Sequence, residues 1–242
     1  MEAKKIFTEG HRGWCAKYPE NTLVSYKAAI ELGVDAFEFD VHLTKDGVPV
    51  IMHDANAYRT CGVDRRLRDM TLEEVKALDA GAKFSPEFAG ERVPTLEETL
   101  KLARSLSDTI RLGVEIKDYD EATVDKTVPL LKEYGFFDEC WFYCFNAPIL
   151  KYIKQRYNGR TMGYPDFQMS GFAPDSYDYY DEIGIAMNIA RSEVYGVYAG
   201  KGKPVHIFCA DNDADVAFAL SLSPALITAN DPPALMKALG RM

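Results

Sequence analysis

Short apolar runs alternate along this chain with longer stretches in which apolar residues recur every three or four positions. The short runs are typical of buried strands, and the longer stretches are typical of helices that cover a sheet with one face. The predicted strands lie at residues 5–10, 36–43, 112–117, 140–145, 161–165, 185–189, 205–210 and 225–230. The predicted helices lie at residues 19–33, 94–107, 121–135, 147–159, 192–202, 213–223 and 232–240. This alternation predicts a TIM (β/α)8 barrel, an α/β fold built from parallel strands.

One segment after the second strand departs from this alternation. The pair Asp46-Gly47 separates that strand from the apolar run 48–54, which is a hairpin signal. A connection this short cannot hold a helical crossover, so the run must return antiparallel. With a two-residue loop, Lys45 pairs with Val48, and His53 lies opposite Asp40 on the same face. We expect one domain over residues 1–242, with an insertion at about 45–93 that carries its own short helix at 71–81.

Composition and charge narrow the class of protein. With 242 residues, of which 47% are hydrophobic, the chain can form a barrel core. The formal net charge of −9 argues against nucleic-acid binding, which requires a basic face. The five cysteines form no C-x-x-C pair, and we interpret them as reduced thiols. The first residues contain no long apolar run, so we expect no signal peptide, and no run in the sequence is long enough to predict a membrane span. We therefore expect a cytoplasmic protein without stable membrane insertion, and the sequence indicates no particular oligomeric state.

Three carboxylates lie on the predicted barrel strands near their carboxyl ends, where the active sites of such barrels lie. Glu38 and Asp40 share one face of the second strand by alternation, and Glu115 lies on the next parallel strand. Three carboxylates in one enclosed mouth repel each other unless a cation joins them. Oxygen ligands suit a hard divalent ion, so we expect Mg²⁺ or Ca²⁺ rather than zinc.

Two histidines are predicted to reach the same mouth. His11 ends the first strand, and the hairpin brings His53 to the second. An imidazole transfers protons near neutral pH, so the two residues are candidates for a general acid and a general base. We interpret His42, two residues past Asp40, and His206, at the amino-terminal side of the seventh strand, as structural.

Two cations accompany these residues. Arg12 follows His11, and Lys117 lies two residues past Glu115 on the same face. Together with a metal ion, an arginine and a lysine can hold the oxygens of a phosphate. Ion pairing with the carboxylates is the alternative role, and the two roles can coexist.

Several motifs in this order resemble the glycerophosphodiester phosphodiesterase family. They are H-R-G at 11–13, P-E-N-T at 19–22, E-x-D-V-x-L-T-x-D-G-x-P-V-x-x-H-D at 38–54 and V-E-I-K at 114–117. The segments VPTLEETL at 93–100 and LITANDPPAL at 226–235 also look like those of the family. The resemblance extends over nearly the whole chain and is tightest in residues 10–54.

The resemblance implies a TIM barrel with a small insertion after the second strand. It also implies metal-dependent hydrolysis of a small-molecule glycerophosphodiester, such as glycerophosphocholine or glycerophosphoethanolamine, to an alcohol and glycerol 3-phosphate. Related barrels form a cyclic phosphate through a neighbouring hydroxyl, so that route is a hypothesis here. The implied site residues are Glu38, Asp40 and Glu115 for the metal, His11 and His53 for acid–base catalysis, and Arg12 and Lys117 for the phosphate.

The chain departs from the family pattern at several positions. Glu9 stands where a small apolar residue is usual, and it either faces the mouth and orients His11 or points outward. Tyr143-Cys144-Phe145 replaces a serine pair before phenylalanine, and Phe208 stands where tryptophan is common, so we expect Phe208 to contact substrate. The tyrosines at 177, 179 and 180, with Phe167 and Phe172 upstream, are interpreted either as a lid or as ordinary packing.

Two other functions compete with this interpretation. A lysophospholipase D-type phosphodiesterase would act on a single-chain lipid, but the sequence contains no strongly basic amphipathic helix. A non-catalytic phosphate-binding barrel would be favoured by loss of a histidine or carboxylate, and none of these residues is missing.

Overall fold

The computed structural model describes residues 5–242, and it contains a closed barrel of eight parallel strands with helices between them. The barrel closes because the first strand pairs with both the second and the last. The predicted TIM barrel is therefore confirmed. The strands are β1 (Phe7–Gly10), β2 (Ala36–Leu43), β3 (Pro49–Ile51), β4 (Arg111–Ile116), β5 (Cys140–Tyr143), β6 (Thr161–Gly163), β7 (Glu182–Ala186), β8 (Val205–Phe208) and β9 (Leu226–Ala229).

The helices begin and end largely where capping residues stand. Thr95 and Glu98 form the reciprocal capping box that their spacing predicts, and Gly33 ends the first long helix in the left-handed conformation. Within the described residues, no helix is long and apolar enough to cross a membrane. The α-helices are α1 (Leu23–Leu32), α2 (Tyr58–Cys61), α3 (Leu72–Lys76), α4 (Leu96–Leu106), α5 (Glu121–Glu133), α6 (Ala147–Tyr157), α7 (Met187–Ala190), α8 (Tyr195–Ala199), α9 (Asp213–Ser221) and α10 (Pro233–Ala238).

The prediction for the sixth barrel strand is shifted. The strand β7 begins at Glu182, whereas the sequence pattern predicted residues 185–189, and the segment from Met187 forms α7. Glu182 is charged, but its side chain is buried inside the barrel and paired with His206. Because this strand begins with a buried ion pair, a search for apolar residues does not detect its first residue.

The hairpin after β2 is antiparallel as predicted, but the predicted register is wrong by one residue. Leu43 pairs with Pro49, and the amide of Met52, not of His53, donates to the carbonyl oxygen of Asp40. The loop has three residues, ending in Gly47 at φ 76°, which is the bulged form rather than the two-residue form. His53 reaches the barrel mouth because β3 ends at Ile51 and the chain then bends.

The insertion packs around an apolar cluster of its own. Its helix α3 begins with a capping box between Thr71 and Glu74, within the predicted range. The buried members of this cluster are Val50, Met52, Ala57, Leu67, Met70, Val75, Leu78, Ala80 and Val93.

Parallel register determines which side chains enter the barrel. Residues paired across neighbouring parallel strands point to the same face, as do residues two apart on one strand. Glu9 pairs with Thr228, and Glu115 pairs with Tyr143. The barrel interior is therefore polar along one side, and these inward positions form the site described next.

Candidate active site

A cavity of about 210 Å³ opens at the carboxyl ends of the barrel strands. All the site residues predicted from the sequence line it except Asp40, which is buried next to Glu38 and Glu115. Seven of its lining residues were predicted from the sequence: His11, Arg12, Glu38, His53, Glu115, Lys117 and Phe208. The other lining residues are Glu9, Tyr143, Phe145, Met162, Tyr164, His206 and Thr228.

Glu38, Asp40 and Glu115 form a cluster at the mouth, called the mouth cluster below. One oxygen of each carboxylate lies within 4.8 Å of the others, and all three residues are buried. Among residues 5–242, Glu38 Oε1 and Asp40 Oδ1 have no hydrogen-bond partner. Buried oxygens without donors are costly unless a cation joins them. The cluster therefore has the ligand type and the spacing to bind a hard divalent cation.

The pKa values of the mouth cluster reflect this crowding. Burial raises the pKa of Glu38 well above its usual range, and the neighbouring carboxylates raise it further. Burial and Asp40 raise the pKa of Glu115, although Lys117 opposes the shift. Burial also opposes ionisation of Asp40, but Lys117 and Arg12 outweigh it and lower the pKa of Asp40. One carboxylate is thus held charged while its neighbours resist ionisation.

Arg12 is held by the turn that follows β1. Its backbone is left-handed at φ 52°, and its amide donates to Glu38 Oε2 at 2.9 Å. Gly13 comes next at φ 85°, where a side-chain carbon would lie 2.4 Å from Ser25 Oγ. The Arg12 guanidinium contacts Glu20 at 3.0 Å and lies 3.5 Å from Asp40.

Lys117 provides the second positive charge. Its Nζ lies 2.9 Å from Glu115 and 3.6 Å from Asp40. Lys117 and Arg12 do not neutralise the three carboxylates completely, so one formal negative charge remains when all five groups are ionised. A divalent cation would reverse that sign and make the mouth attractive to a phosphate.

His11 is oriented by residues that the sequence analysis missed. Its Nδ1 lies 2.6 Å from Asn230 Oδ1, and Asn230 Nδ2 donates to Asp211 at 2.7 Å. A carboxylate only accepts, so Asp211 fixes the amide orientation of Asn230, and Nδ1 of a neutral His11 must donate. Nε2 of His11 is then the acceptor, 3.9 Å from Glu38 Oε2. Burial and Arg12 lower the pKa of His11 to about 4.

Asn230 and Asp211 also lie at the carboxyl ends of barrel strands, which is the criterion that identified the other site residues. Both residues come just after barrel strands, β9 and β8, at the carboxyl ends. Polar residues at these ends were considered only for the first strands, so the signal was present but unused.

His53 is oriented by a carboxylate instead of an amide. Its Nδ1 lies 2.6 Å from Asp54, which also accepts from Arg59 at 2.6 Å. Arg59 bridges onward to Glu20 at 2.7 Å, and Glu20 contacts Arg12. Burial and Arg12 lower the pKa of His53, although Asp40 and Asp54 oppose the shift. A chain of ion pairs through Asp54, Arg59 and Glu20 therefore links Nδ1 of His53 to Arg12.

The remaining histidines and Glu9 have other partners. His42 is buried with Nδ1 2.6 Å from Asp118, which agrees with its structural interpretation. His206 pairs with Glu182 but also lines the cavity, so its interpretation as structural only was incomplete. Glu9 points into the barrel, but it bonds to Tyr143 and Thr228 and has no bond to His11.

The tyrosine segment packs against the protein rather than covering the cavity. Tyr180 is buried, and Tyr177 contacts both Phe172 and Tyr180 edge to face. None of the tyrosines at 177, 179 and 180 lines the cavity. Of the two interpretations of this segment, the structure agrees with packing.

A closed parallel barrel with a carboxylate cluster, two histidines and two cations at its mouth defines the class of TIM-barrel proteins with a candidate phosphate and metal site. The particular family follows from comparison with known proteins. The model of the glycerophosphoryl diester phosphodiesterase family matches residues 11–222, and the chain belongs to this family.

Two relatives agree with this assignment. A glycerophosphodiester phosphodiesterase from Caldanaerobacter subterraneus subsp. tengcongensis is 40% identical over 154 residues, covering 62% of this chain and 63% of that protein. One from Bacillus altitudinis is 39% identical over 114 residues, covering 47% and 45% respectively. The chain thus matches about half to two thirds of the length of these relatives.

The similar solved structures establish the fold. A phosphodiesterase from Oleispira antarctica, in complex with the product sn-glycerol-3-phosphate, has a TM-score of 0.85 at 23% identity, covering 97% of this chain and 96% of that chain. A glycerophosphodiester phosphodiesterase from Agrobacterium tumefaciens has a TM-score of 0.80 at 22% identity, covering 96% and 100%.

Proposed function

We propose that this protein hydrolyses glycerophosphodiesters to an alcohol and glycerol 3-phosphate in a reaction that depends on Mg²⁺ or Ca²⁺. The observation that carries the proposal is the mouth cluster, in which two buried oxygens lack a hydrogen-bond partner among the described residues, beside two histidines and two basic side chains. Membership in the family and the activity named for its relatives support the same reaction. The product bound to the similar Oleispira antarctica structure supports this substrate class.

In this proposal, Glu38, Asp40 and Glu115 hold the divalent cation. When bound, the cation supplies positive charge that offsets the charge of the phosphate during the reaction. Arg12 and Lys117 orient the non-bridging phosphate oxygens, since both side chains line the cavity beside the cluster. The Arg12 and Lys117 side chains are already held by the carboxylates, so they lose little side-chain entropy when the phosphate binds.

We assign the acid and base roles from the hydrogen-bond partners of the two histidines. His11 donates to a neutral amide, which leaves Nε2 of the neutral ring as an acceptor suited to a general base. His53 contacts the Asp54 carboxylate, which opposes the lowering of its pKa by burial and Arg12, so we assign His53 as the general acid. The base removes a proton from the attacking oxygen, of water or of a neighbouring glycerol hydroxyl, as that oxygen bonds to phosphorus. The acid donates its proton to the leaving alcohol oxygen as the bond from that oxygen to phosphorus breaks.

A lysophospholipase D-type reaction is the second candidate. Exposed apolar side chains lie in the insertion and after β6 and β7: Phe84 is 46% exposed, Phe167 66% and Val197 61%. Such side chains could contact a lipid chain or a membrane surface. The cavity of about 210 Å³ is small for a ligand pocket, which favours the substrate without an acyl chain.

The test is release of glycerol 3-phosphate from glycerophosphocholine and glycerophosphoethanolamine with EDTA, Mg²⁺ or Ca²⁺. We expect release with a metal, none with EDTA, and loss of release in Glu115→Gln. The exposed Glu133→Gln on α5 is the matched control and should behave as wild type. Release from lysophosphatidylcholine alone would favour the second candidate. Phosphate binding without turnover of either substrate would favour the non-catalytic barrel.

A further inference from the structure

A second polar cluster lies at the closed end of the same cavity. It consists of Glu9, Tyr143, His206 and Thr228, and it is called the floor cluster below. These side chains come from β1, β5, β8 and β9, and all are buried. The acid–base mechanism proposed above uses none of them, although they share one continuous space with His11 and Glu38.

A glycine makes room for this cluster beneath the metal ligands. A side-chain carbon at Gly113 would lie 2.5 Å from Glu9 Oε1 and 2.6 Å from the Tyr143 ring. The same carbon would lie 3.1 Å from the Glu38 side chain. Because Gly113 has no side chain, the Glu9 carboxylate lies next to the mouth cluster instead of being displaced.

The floor cluster keeps hydrogen-bonding capacity after its internal bonds are made. The hydroxyls of Tyr143 and Thr228 donate to the two Glu9 oxygens at 2.9 and 2.7 Å. Each carboxylate oxygen has a second acceptor site, and each hydroxyl oxygen can still accept. Nδ1 of His206 is buried without a partner in the part of the chain that the structure describes. A buried ring nitrogen without a partner favours a ligand that provides one.

A hydroxyl group fits this set better than a cation. Nε2 of His206 faces the Glu182 carboxylate, so it carries a proton, and Nδ1 accepts in the neutral ring but donates in the cation. A hydroxyl can bond with either form, whereas an ammonium cannot bond with the second. Aromatic rings form part of the cavity wall. The ring centroids of Phe145 and Tyr164 are stacked 3.7 Å apart, and those of Phe208 and Tyr164 lie 5.6 Å apart.

We propose that the floor cluster binds the distal hydroxyl of the glycerol arm and thereby selects glycerol-bearing phosphodiesters. The proposal rests on the proposed function, since the phosphate must be held at the mouth for this arm to reach the floor. The hydroxyl donates a hydrogen bond to the Glu9 carboxylate and accepts one from Nδ1 of the cationic His206 ring, and Thr228 and Tyr143 hold the carboxylate in place. Glu9 thus determines which substrate binds, whereas His11 and the mouth cluster carry out the chemistry at the same site.

The test compares two substrates in wild type and in three variants. One substrate is a glycerophosphodiester, and the other is the propane-1,2-diol phosphodiester, in which a methyl group replaces the distal hydroxymethyl group. We expect kcat/KM of wild type to fall about 100-fold without the hydroxyl, and the ratio to shrink below about 10-fold in Glu9→Gln. The Thr228→Val variant should also reduce the ratio, while Thr127→Val, buried in α5 outside the cavity, should keep it.

The outcomes separate this proposal from a purely structural role. If Glu9→Gln lowers kcat/KM for both substrates by the same factor, or if wild type does not distinguish them, the proposal is wrong. If wild type cleaves neither substrate, the proposed function fails, and calorimetry with glycerol 3-phosphate and propane-1,2-diol 1-phosphate then tests the floor alone. Tighter binding of glycerol 3-phosphate, lost in Glu9→Gln, would support it, and equal binding would overturn it.

Discussion

Glu38 at the mouth of the cavity and Glu182 behind its floor are almost equally buried, at 3% and 2% exposed, yet their pKa values move in opposite directions. Burial and two neighbouring carboxylates raise the pKa of Glu38, and its Oε1 has no partner among the described residues. Burial also opposes ionisation of Glu182, but His206 outweighs it together with two further donors, so the pKa falls.

The difference shows how partners, rather than burial, decide what a buried carboxylate does. Trp141 donates to Glu182 at 3.0 Å, and Arg160 and His206 pair with it, so this carboxylate is satisfied by the protein itself. Glu38 is left incomplete beside Asp40. An incomplete buried cluster is costly on its own and is suited to a ligand, whereas a completed one contributes to the folded structure.

The largest expected effect is on chemistry at the mouth. His11→Ala should lower kcat about 1,000-fold, because the proposed general base is lost. Its melting temperature should stay close to that of wild type, since His11 is partly exposed. Single-turnover release of glycerol 3-phosphate measures the chemical step. A variant with near wild-type kcat would remove His11 from the mechanism.

The next effect is on stability behind the floor. Glu182→Gln should lower the free energy of unfolding by about 3 kcal/mol, because His206 and Arg160 lose their carboxylate. A carboxyl with a lowered folded pKa stabilises above its unfolded pKa of about 4.3 and loses this contribution as pH falls through the folded pKa. Urea unfolding should therefore show a smaller difference from wild type in acid. A variant as stable as wild type at pH 7 would contradict the comparison.

A smaller effect is expected where orientation, not chemistry, is lost. Asn230→Ala should lower kcat about 10- to 100-fold with little change in KM, because His11 loses the amide that selects its tautomer. The acid limb of the kcat–pH profile should also shift. An unchanged profile with an unchanged kcat would show that Asn230 does not position His11.

Removing a carboxylate from the mouth should have the opposite sign from removing Glu182. A carboxyl with a raised folded pKa favours folding below about pH 4.3, and this contribution is lost as pH rises through the folded pKa. Glu38→Gln should therefore raise the melting temperature of the metal-free protein at pH 8, by on the order of 2 °C. Added Mg²⁺ or Ca²⁺ should stabilise wild type more than the variant. A lower melting temperature in EDTA would contradict the account.

The smallest effect is expected in the tyrosine segment. Tyr177→Phe should keep kcat/KM within about twofold of wild type, because Tyr177 packs outside the cavity. A larger loss for a glycerophosphodiester would reopen the interpretation of this segment as a lid.

Repetition and local capping could be predicted from the sequence because their causes are local. Strand β2 has the predicted bounds, and α4 begins with the capping box of Thr95 and Glu98. The start of β7 and the hairpin register depend on other facts: the buried pair of Glu182 with His206, and a third loop residue before Val48. Neither is visible in an apolar pattern.

The candidate site was predicted in the same uneven way. The mouth residues could be found because each lies on a strand or just after one, in a recognisable motif. The partner of His11 lies 219 positions away at Asn230, and the partners of Glu9 are Tyr143 and Thr228. Contacts across the barrel depend on strand register and on the space at Gly113, so a pattern along one strand cannot indicate them.

The most direct test follows metal occupancy and turnover in one sample. Protein treated with EDTA is titrated with Mg²⁺ or Ca²⁺, while bound metal and glycerol 3-phosphate release from glycerophosphoethanolamine are measured together. We predict that activity rises in proportion to the binding of about one ion per chain, and that Glu38→Gln weakens binding and turnover together. Full turnover of the metal-free protein, or metal binding that Glu38→Gln leaves unchanged, would contradict the assignment of the mouth cluster.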